Sequence, residues 1–290
     1  MRLCPACAAR LPATEWRCAA CGSAPPMLNG FRALAPQLAD TDTGMRPESY
    51  AQLAPREAGH AWFTSRNRLL TWALDRYFPD AASLFEIGCG TGFVLSAIAE
   101  RRPRLRLGAS DLHPRGLAIA RDRLGAGPEL IQLDARHLPF ADEFDVVCAF
   151  DVLEHIEDDE AVLEAAHRAV RPGGGVLLTV PQHRFLWSRF DEDARHVRRY
   201  AARELQAKVA RAGFEVVRST SFVTLPFPAM VLARRSRRRP APPGGGAQMN
   251  PPRWANAVLA TGLGLERAAI RAGLDLPFGG SRLVVARKHG

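Results

Sequence analysis

The segment from Ser83 to Leu95 reads SLFEIGCGTGFVL: a short apolar run, three glycines at alternate positions, and a second apolar run. A turn this rich in glycine between a strand and a helix lets backbone N–H groups approach a ligand that any Cβ would hold away. Two phosphate-binding patterns do not fit it. The dinucleotide fingerprint needs a third glycine where Phe93 stands, and the phosphate loop of nucleotide hydrolases needs a Gly-Lys-Ser/Thr that does not follow. What remains is a nucleoside ligand without a pyrophosphate, or a tight structural turn.

The surrounding sequence bears on that choice. Strands are expected at Ser83–Gly88, Leu105–Asp111, Glu129–Asp134, Phe144–Val152, Gly175–Val180 and Phe214–Thr224. Helical patterns lie between them at Gly92–Arg101, Pro114–Leu124, Asp158–Val170 and Ala201–Ala212, with another from about Ala58 to Phe78 before the first strand. This alternation predicts an α/β fold with a doubly wound, mainly parallel sheet. Ligands of such sheets bind at the carboxyl ends of the strands, and here those ends carry the glycine turn, Asp111, Asp134 and Phe150-Asp151. A carboxylate after the second strand suits a ribose; one after the third suits an adenine amine.

Ahead of the first strand, Cys4, Cys7, Cys18 and Cys21 form C-x2-C, ten residues, then C-x2-C-G. Paired knuckles at that spacing offer four thiolates to a tetrahedral, structural Zn²⁺. Cys89 and Cys148 lie in apolar runs and read as small buried residues. The organisation expected is a zinc ribbon over 1–24, a linker with little regular structure over 25–57, a core over 58–224 and 281–290, and an insertion over 225–280. The formal charge of +9 is almost wholly arginine, since Lys208 and Lys288 are the only lysines. Such a bias is weak evidence for nucleic acid. With neither a leader-like apolar region nor an uncharged run of spanning length, a cytoplasmic protein is expected, peripheral at the inner membrane face if at a membrane at all.

The motifs resemble those of class I S-adenosylmethionine-dependent methyltransferases, of the type 11/12-like group. FEIGCGTGF resembles the family's first motif, GASDLHP its second-strand end, LIQLDARHLPF its adenine segment, FDVVCAFDVLEHI its fourth strand and VRPGGGVLLTVP its fifth. The resemblance implies a Rossmann-like sheet with an antiparallel last strand, for which SRLVVARK is the candidate. It implies that Glu86, Gly88, Gly90 and Gly92 hold the aminocarboxypropyl end of S-adenosylmethionine. Asp111 with Leu112 would hold the ribose and Asp134 with Ala135 the adenine, while Phe150 and Asp151 would line the sulfonium side. HAWFTSRNRLL and FDEDARHVRRYAARELQAKVARAGFEVV are similar to a bacterial subgroup that carries such a zinc ribbon.

Methyl transfer to a weak nucleophile needs positioning and a base. His155, His196 and His183 are the candidate bases, beside Asp151. The long connection from Gln182 to Tyr200 concentrates His183, Trp187, Asp191, His196, Arg199 and Tyr200, the expected lid over the acceptor. Trp62, Phe63 and Arg66 would face the same cleft. In the insertion, an apolar run to Leu232 precedes arginines between Arg234 and Arg239, a pattern that suits anionic lipid, and WANAVLATGLGLERAAIRAG reads as an apolar-faced helix. The leading expectation is O-methylation of a small or lipid-linked acceptor, because the fourth strand ends in FDVL and lacks the Asn/Asp-Pro-Pro-aromatic motif of amine methylators. Two others stand beside it: an RNA base methyltransferase, and a scaffold that binds S-adenosylmethionine without catalysis.

Overall fold

The computed structural model describes residues 1–12, 15–41, 43–235 and 251–290, with only the backbone of 233–235. Among these the strands are β1 (Arg2–Leu3), β2 (Arg10–Leu11), β3 (Met27–Leu28), β4 (Phe31–Ala33), β5 (Ser83–Ile87), β6 (Arg106–Asp111), β7 (Glu129–Gln132), β8 (Phe144–Phe150), β9 (Val170–Pro181), β10 (Phe214–Phe222) and β11 (Ser281–Lys288). The α-helices are α1 (Pro47–Glu57), α2 (Ala61–Tyr77), α3 (Phe93–Arg101), α4 (Pro114–Leu124), α5 (Asp159–Ala169), α6 (Arg189–Asp193), α7 (Ala202–Arg211), α8 (Phe227–Arg235) and α9 (Arg253–Arg271).

A nine-stranded sheet runs β10-β11-β9-β8-β5-β6-β7-β4-β3. The strands from β9 to β4 are parallel, and β11 enters antiparallel between β9 and β10, as the Rossmann-like reading expects. β5 is buried along its whole length, which is why Leu84 and Phe85 are both apolar although they point to opposite faces. On one face Phe140 packs edge to face with Phe85 and Phe144 beneath α5 and α7. On the other, Leu70 and Leu74 of α2, Leu95 of α3 and Leu117 of α4 cover Leu84 and Cys148. α5 starts where the Asp158 carboxylate accepts from the Ala161 amide, with Asp159 and Glu160 at its positive end.

Residues 25–57 are not the linker their composition suggests. β3 and β4 extend the sheet beyond β7 through Arg32↔Ile131 and Ala33↔Gln132. The Gln132 amide fixes the segment, accepting from the Ala35 amide and donating to its carbonyl. α1 follows, and its buried Glu57 accepts from the Thr91 hydroxyl and pairs with Arg123. These few side-chain bonds hold a segment that lacks a periodic apolar pattern.

The insertion also docks. Leu263, Glu266 and Ile270 of α9 are buried, and Glu266 accepts from the amides of Val223 and Thr224, closing the turn after β10. Trp254, Val258 and Leu265 line the opposite, exposed side of α9 at helical spacing. Of the expected arginine cluster, Arg237, Arg238 and Arg239 lie outside the described residues, as do the side chains of Arg234 and Arg235. No helix among the described residues is long and apolar enough to cross a membrane.

Candidate functional site

The glycine turn after β5 is left-handed at each glycine: Gly88, Gly90 and Gly92 have φ of 64°, 54° and 71°. A Cβ at Gly88 would come within 2.6 Å of Val152, and one at Gly92 within 2.9 Å of Ala120, so two of the three positions exclude a side chain by contact as well as by backbone angle. Beneath the turn lies Glu86, 2% exposed, with one carboxylate oxygen that has no hydrogen-bond partner. Burial pushes its pKa up to about 8, against a lowering by Arg66 and a further raising by Asp111.

Asp111 stands where β6 ends. It accepts from the Gly90 amide (2.8 Å), the His113 amide (2.9 Å) and the Tyr50 hydroxyl (3.1 Å). Burial raises its pKa above the usual carboxylate value, although these bonds oppose the shift. Leu112 follows, its carbonyl held by Gln132. Tyr50 comes from α1 and lies against Gly90, so α1 covers the turn. His113 straps the same segment down, its ring nitrogens 3.0 Å and 2.8 Å from the carbonyls of Ala39 and Thr43. Neither Tyr50 nor His113 was singled out from the sequence. Tyr50 sits in a stretch read as linker, and the His113 ring bonds only to residues of that stretch.

Asp134 differs from the expectation of a free acceptor for adenine. Burial would raise its pKa, but Arg136 grips both carboxylate oxygens and holds it below the usual range. It also caps the short turn that begins at Ala135.

At the end of β8, Asp151 has φ of 58° and forms an ion pair with Arg66, whose guanidinium stacks 4.6 Å over Trp62. Phe150 is 5% exposed beside it. Phe63 is buried edge-on to Trp62 at 4.7 Å and belongs to the core more than to a cleft.

The candidate bases His155 and His196 come together. Their rings meet edge to face at 4.8 Å, and the Nε2 of His196 lies 4.0 Å from an oxygen of Glu154. Asp191 fixes His196 through its Nδ1 at 2.9 Å and receives the Nε–H of Arg199 at 2.7 Å. Burial depresses the His155 pKa to about 3, with His196 adding to the effect and hydrogen bonds from the ring to the Arg195 and Ala194 backbone opposing it. Glu154 is the site residue the sequence reading missed; its position beside His155 in LEHIED was the signal.

The rest of the expected lid divides. Arg199 and Tyr200 do not face an acceptor: Arg199 is buried on Asp191, and Tyr200 is fully buried with its hydroxyl on Asp159 at 2.5 Å. The β-bridge between Gln182 and Tyr200 draws that end of the loop into the sheet. Trp187 stays 38% exposed. His183 stands away from the other two histidines, among Phe185, Phe227 and Phe278, and its pKa is lowered by burial, then by Arg282 and Arg199.

At the N-terminus the four cysteine sulfurs converge, Cys4 to Cys21 at 3.7 Å and Cys7 to Cys18 at 3.6 Å. A tetrahedral ion with Zn–S bonds of about 2.3 Å sets sulfurs about 3.8 Å apart, so the donors fit that geometry. Trp16 and the Leu3 amide dock the ribbon, against Phe140 and onto the Pro139 carbonyl.

The match to known proteins falls on the same strands. Residues 85–178 match the family model described as a methyltransferase domain. This segment is a methyltransferase domain. A ubiquinone biosynthesis O-methyltransferase of Pseudomonas aeruginosa is 29% identical over 146 residues, covering 45% of this chain and 62% of its own length. The chain therefore spans less than two thirds of that relative. Among solved structures, one chain of the complex between the Haloferax volcanii Trm112 methyltransferase activator and a methyltransferase has a TM-score of 0.58 at 18% identity. The likeness covers 85% of this chain and 99% of that one. Phosphoethanolamine N-methyltransferase 2 of Haemonchus contortus, in complex with S-adenosyl-L-methionine, has a TM-score of 0.52 at 21% identity over 76% of this chain and 52% of that one. At these identities the structural likeness speaks for the fold.

Proposed function

We propose that the chain methylates an oxygen of a small or lipid-linked acceptor, using S-adenosylmethionine. The observation that carries the reading is Glu86: a buried carboxylate with an unpartnered oxygen, under a turn of three left-handed glycines, suits a ligand with a cationic end. When bound, S-adenosylmethionine supplies a methyl carbon activated by its sulfonium. Glu86 would pair with the amine of its aminocarboxypropyl end, and the glycine turn lets the backbone approach closely. Asp111 would take the ribose hydroxyls, with Tyr50 yielding its place on the carboxylate. Phe150 and the Arg66–Asp151 pair wall the sulfonium side, and α1 excludes water from above. The acceptor oxygen would meet the Glu154–His155–His196 group, beside which it would lose its proton.

Oxygen is favoured by the O-methyltransferase relatives and by the FDVL ending of β8. A lipid-linked acceptor is favoured by the exposed apolar side of α9, with Trp254, Val258 and Leu265, which suits a membrane surface. The cysteine cluster holds structural zinc in this reading.

The test exposes cell extract to the purified protein and S-adenosylmethionine labelled on its methyl group, then partitions the label. Label in the organic phase or in small molecules is expected. Label in precipitated RNA would overturn the acceptor class, and cofactor binding with no transfer into any fraction would favour the scaffold.

A further inference from the structure

Glu154, buried, and the half-buried His155 and His196 form a close group. The His155 ring bonds to the Ala194–Arg195 backbone, and its Nδ1 is buried without a partner. Asp191 accepts from Nδ1 of His196, which turns the Nε2 lone pair toward Glu154. Glu154 is 1% exposed, and one of its carboxylate oxygens is likewise buried without a partner. One donor atom from each of the three residues lies within 4.8 Å of the other two.

The charges nearby do not fill the gap. The two guanidinium groups closest in charge to Glu154 are already paired, Arg66 with Asp151 and Arg199 with Asp191. A buried carboxyl oxygen and a buried imidazole nitrogen are thus left without a partner side by side, an arrangement that is costly unless a ligand supplies one. The carboxylate that orients His196 also follows the pattern of metal sites, where an outer acidic group fixes the tautomer of a ligating imidazole.

We propose that Glu154, His155 and His196 bind a divalent transition-metal ion of the zinc class, separate from the cysteine cluster. Two imidazole nitrogens and one carboxylate are the donor set of an open catalytic site, with a fourth position left for another ligand. Bonds of about 2.0–2.1 Å would draw the donors to roughly 3.4 Å of one another, a closure within reach of side-chain torsions. At the fourth position an acceptor hydroxyl would bind the ion, acquire a lower pKa and lose its proton to water. That role rests on the methyl-transfer reading; the binding of the ion does not.

The test measures Zn²⁺ retained after dialysis, by elemental analysis, in the full chain and in the Glu154→Gln and His155→Gln variants, with circular dichroism as the fold control. Two equivalents in the parent and one in each variant are expected. Reconstitution with Co²⁺ separates the sites, because only the cysteine cluster gives thiolate-to-cobalt charge transfer; the second site adds a visible band without it. A single equivalent in the parent, all of it thiolate-bound, would overturn the proposal, as would two equivalents in both variants. The parent stoichiometry decides even if a variant fails to fold. Two equivalents without methyl transfer would retire the function and keep the site, whereas transfer with one equivalent would do the reverse.

Discussion

Glu86 should make cofactor affinity depend on pH in a defined direction. Its pKa stands at about 8 in the free protein, against 4.5 for an ordinary glutamate, chiefly because it is buried. A raised carboxylate favours the protonated folded state, so as pH rises from 4.5 toward 8 the free protein progressively loses stability, by up to about 5 kcal/mol at 1.36 kcal/mol per unit. A cationic amine placed on Glu86 reverses the preference, and binding then expels a proton. If the bound-state pKa falls below about 5, affinity rises roughly eight- to ninefold between about pH 6 and pH 7, with close to one proton released. The ligand's own amine titrates near 7.7–8.0, so it stays cationic over that interval. Calorimetry with S-adenosylhomocysteine, in two buffers of different ionisation enthalpy, reads both quantities. A flat profile in the parent would refute the reasoning, and so would a slope that survives in Glu86→Gln.

Other substitutions probe the remaining assignments. Asp111 has about four lone-pair sites, and three are occupied in this structure. Tyr50→Phe should therefore tighten S-adenosylhomocysteine binding by up to about fivefold, on the order of 1 kcal/mol; a loss of affinity by titration would make Tyr50 a direct cofactor contact. Tyr200→Phe removes a buried donor to Asp159 and should cost about 1–2 kcal/mol in urea unfolding with cofactor affinity unchanged. Loss of affinity without loss of stability would return Tyr200 to the cleft. Cys18→Ser should release the ribbon's metal and raise hydrogen exchange at the Leu3 amide, which bonds to Pro139; full protection would show that the ribbon docks without its ion. Trp254→Glu should reduce sedimentation with anionic phosphatidylglycerol vesicles at least threefold, and equal sedimentation would remove α9 from any membrane contact.

The central strands and the glycine turn were legible because their signals are local. β5 is an apolar run because both its faces are buried, and Gly88 and Gly92 are glycines because Val152 and Ala120 leave no room for anything larger. The histidine pairing was half legible. His155 and His196 stood out as titratable residues near the strand ends, but their meeting depends on Asp191 and Arg199, which fold the loop back. Residues 25–57 were not legible. Their place at the sheet edge depends on two register pairs, the Gln132 amide and the Glu57–Arg123 ion pair, which are long-range bonds that leave no periodicity behind. Tyr200 misled for a related reason: an aromatic beside arginines in a loop resembles a binding residue until its hydroxyl is found on a buried aspartate.

The position of β11 has a consequence for how the chain is made. β11 lies between β9 and β10, yet the ribosome synthesises it after both, nearly 60 residues beyond the end of β10. At translation speeds of about 5–20 residues per second, β9 waits several seconds as a bare edge and β10 has no strand to join. For that interval the nascent protein carries the exposed pairing groups of an unfinished sheet. Nascent chains halted between β10 and β11 should therefore recruit chaperones most strongly, and the arrival of eight residues, Ser281–Lys288, ends that exposure on both sides at once.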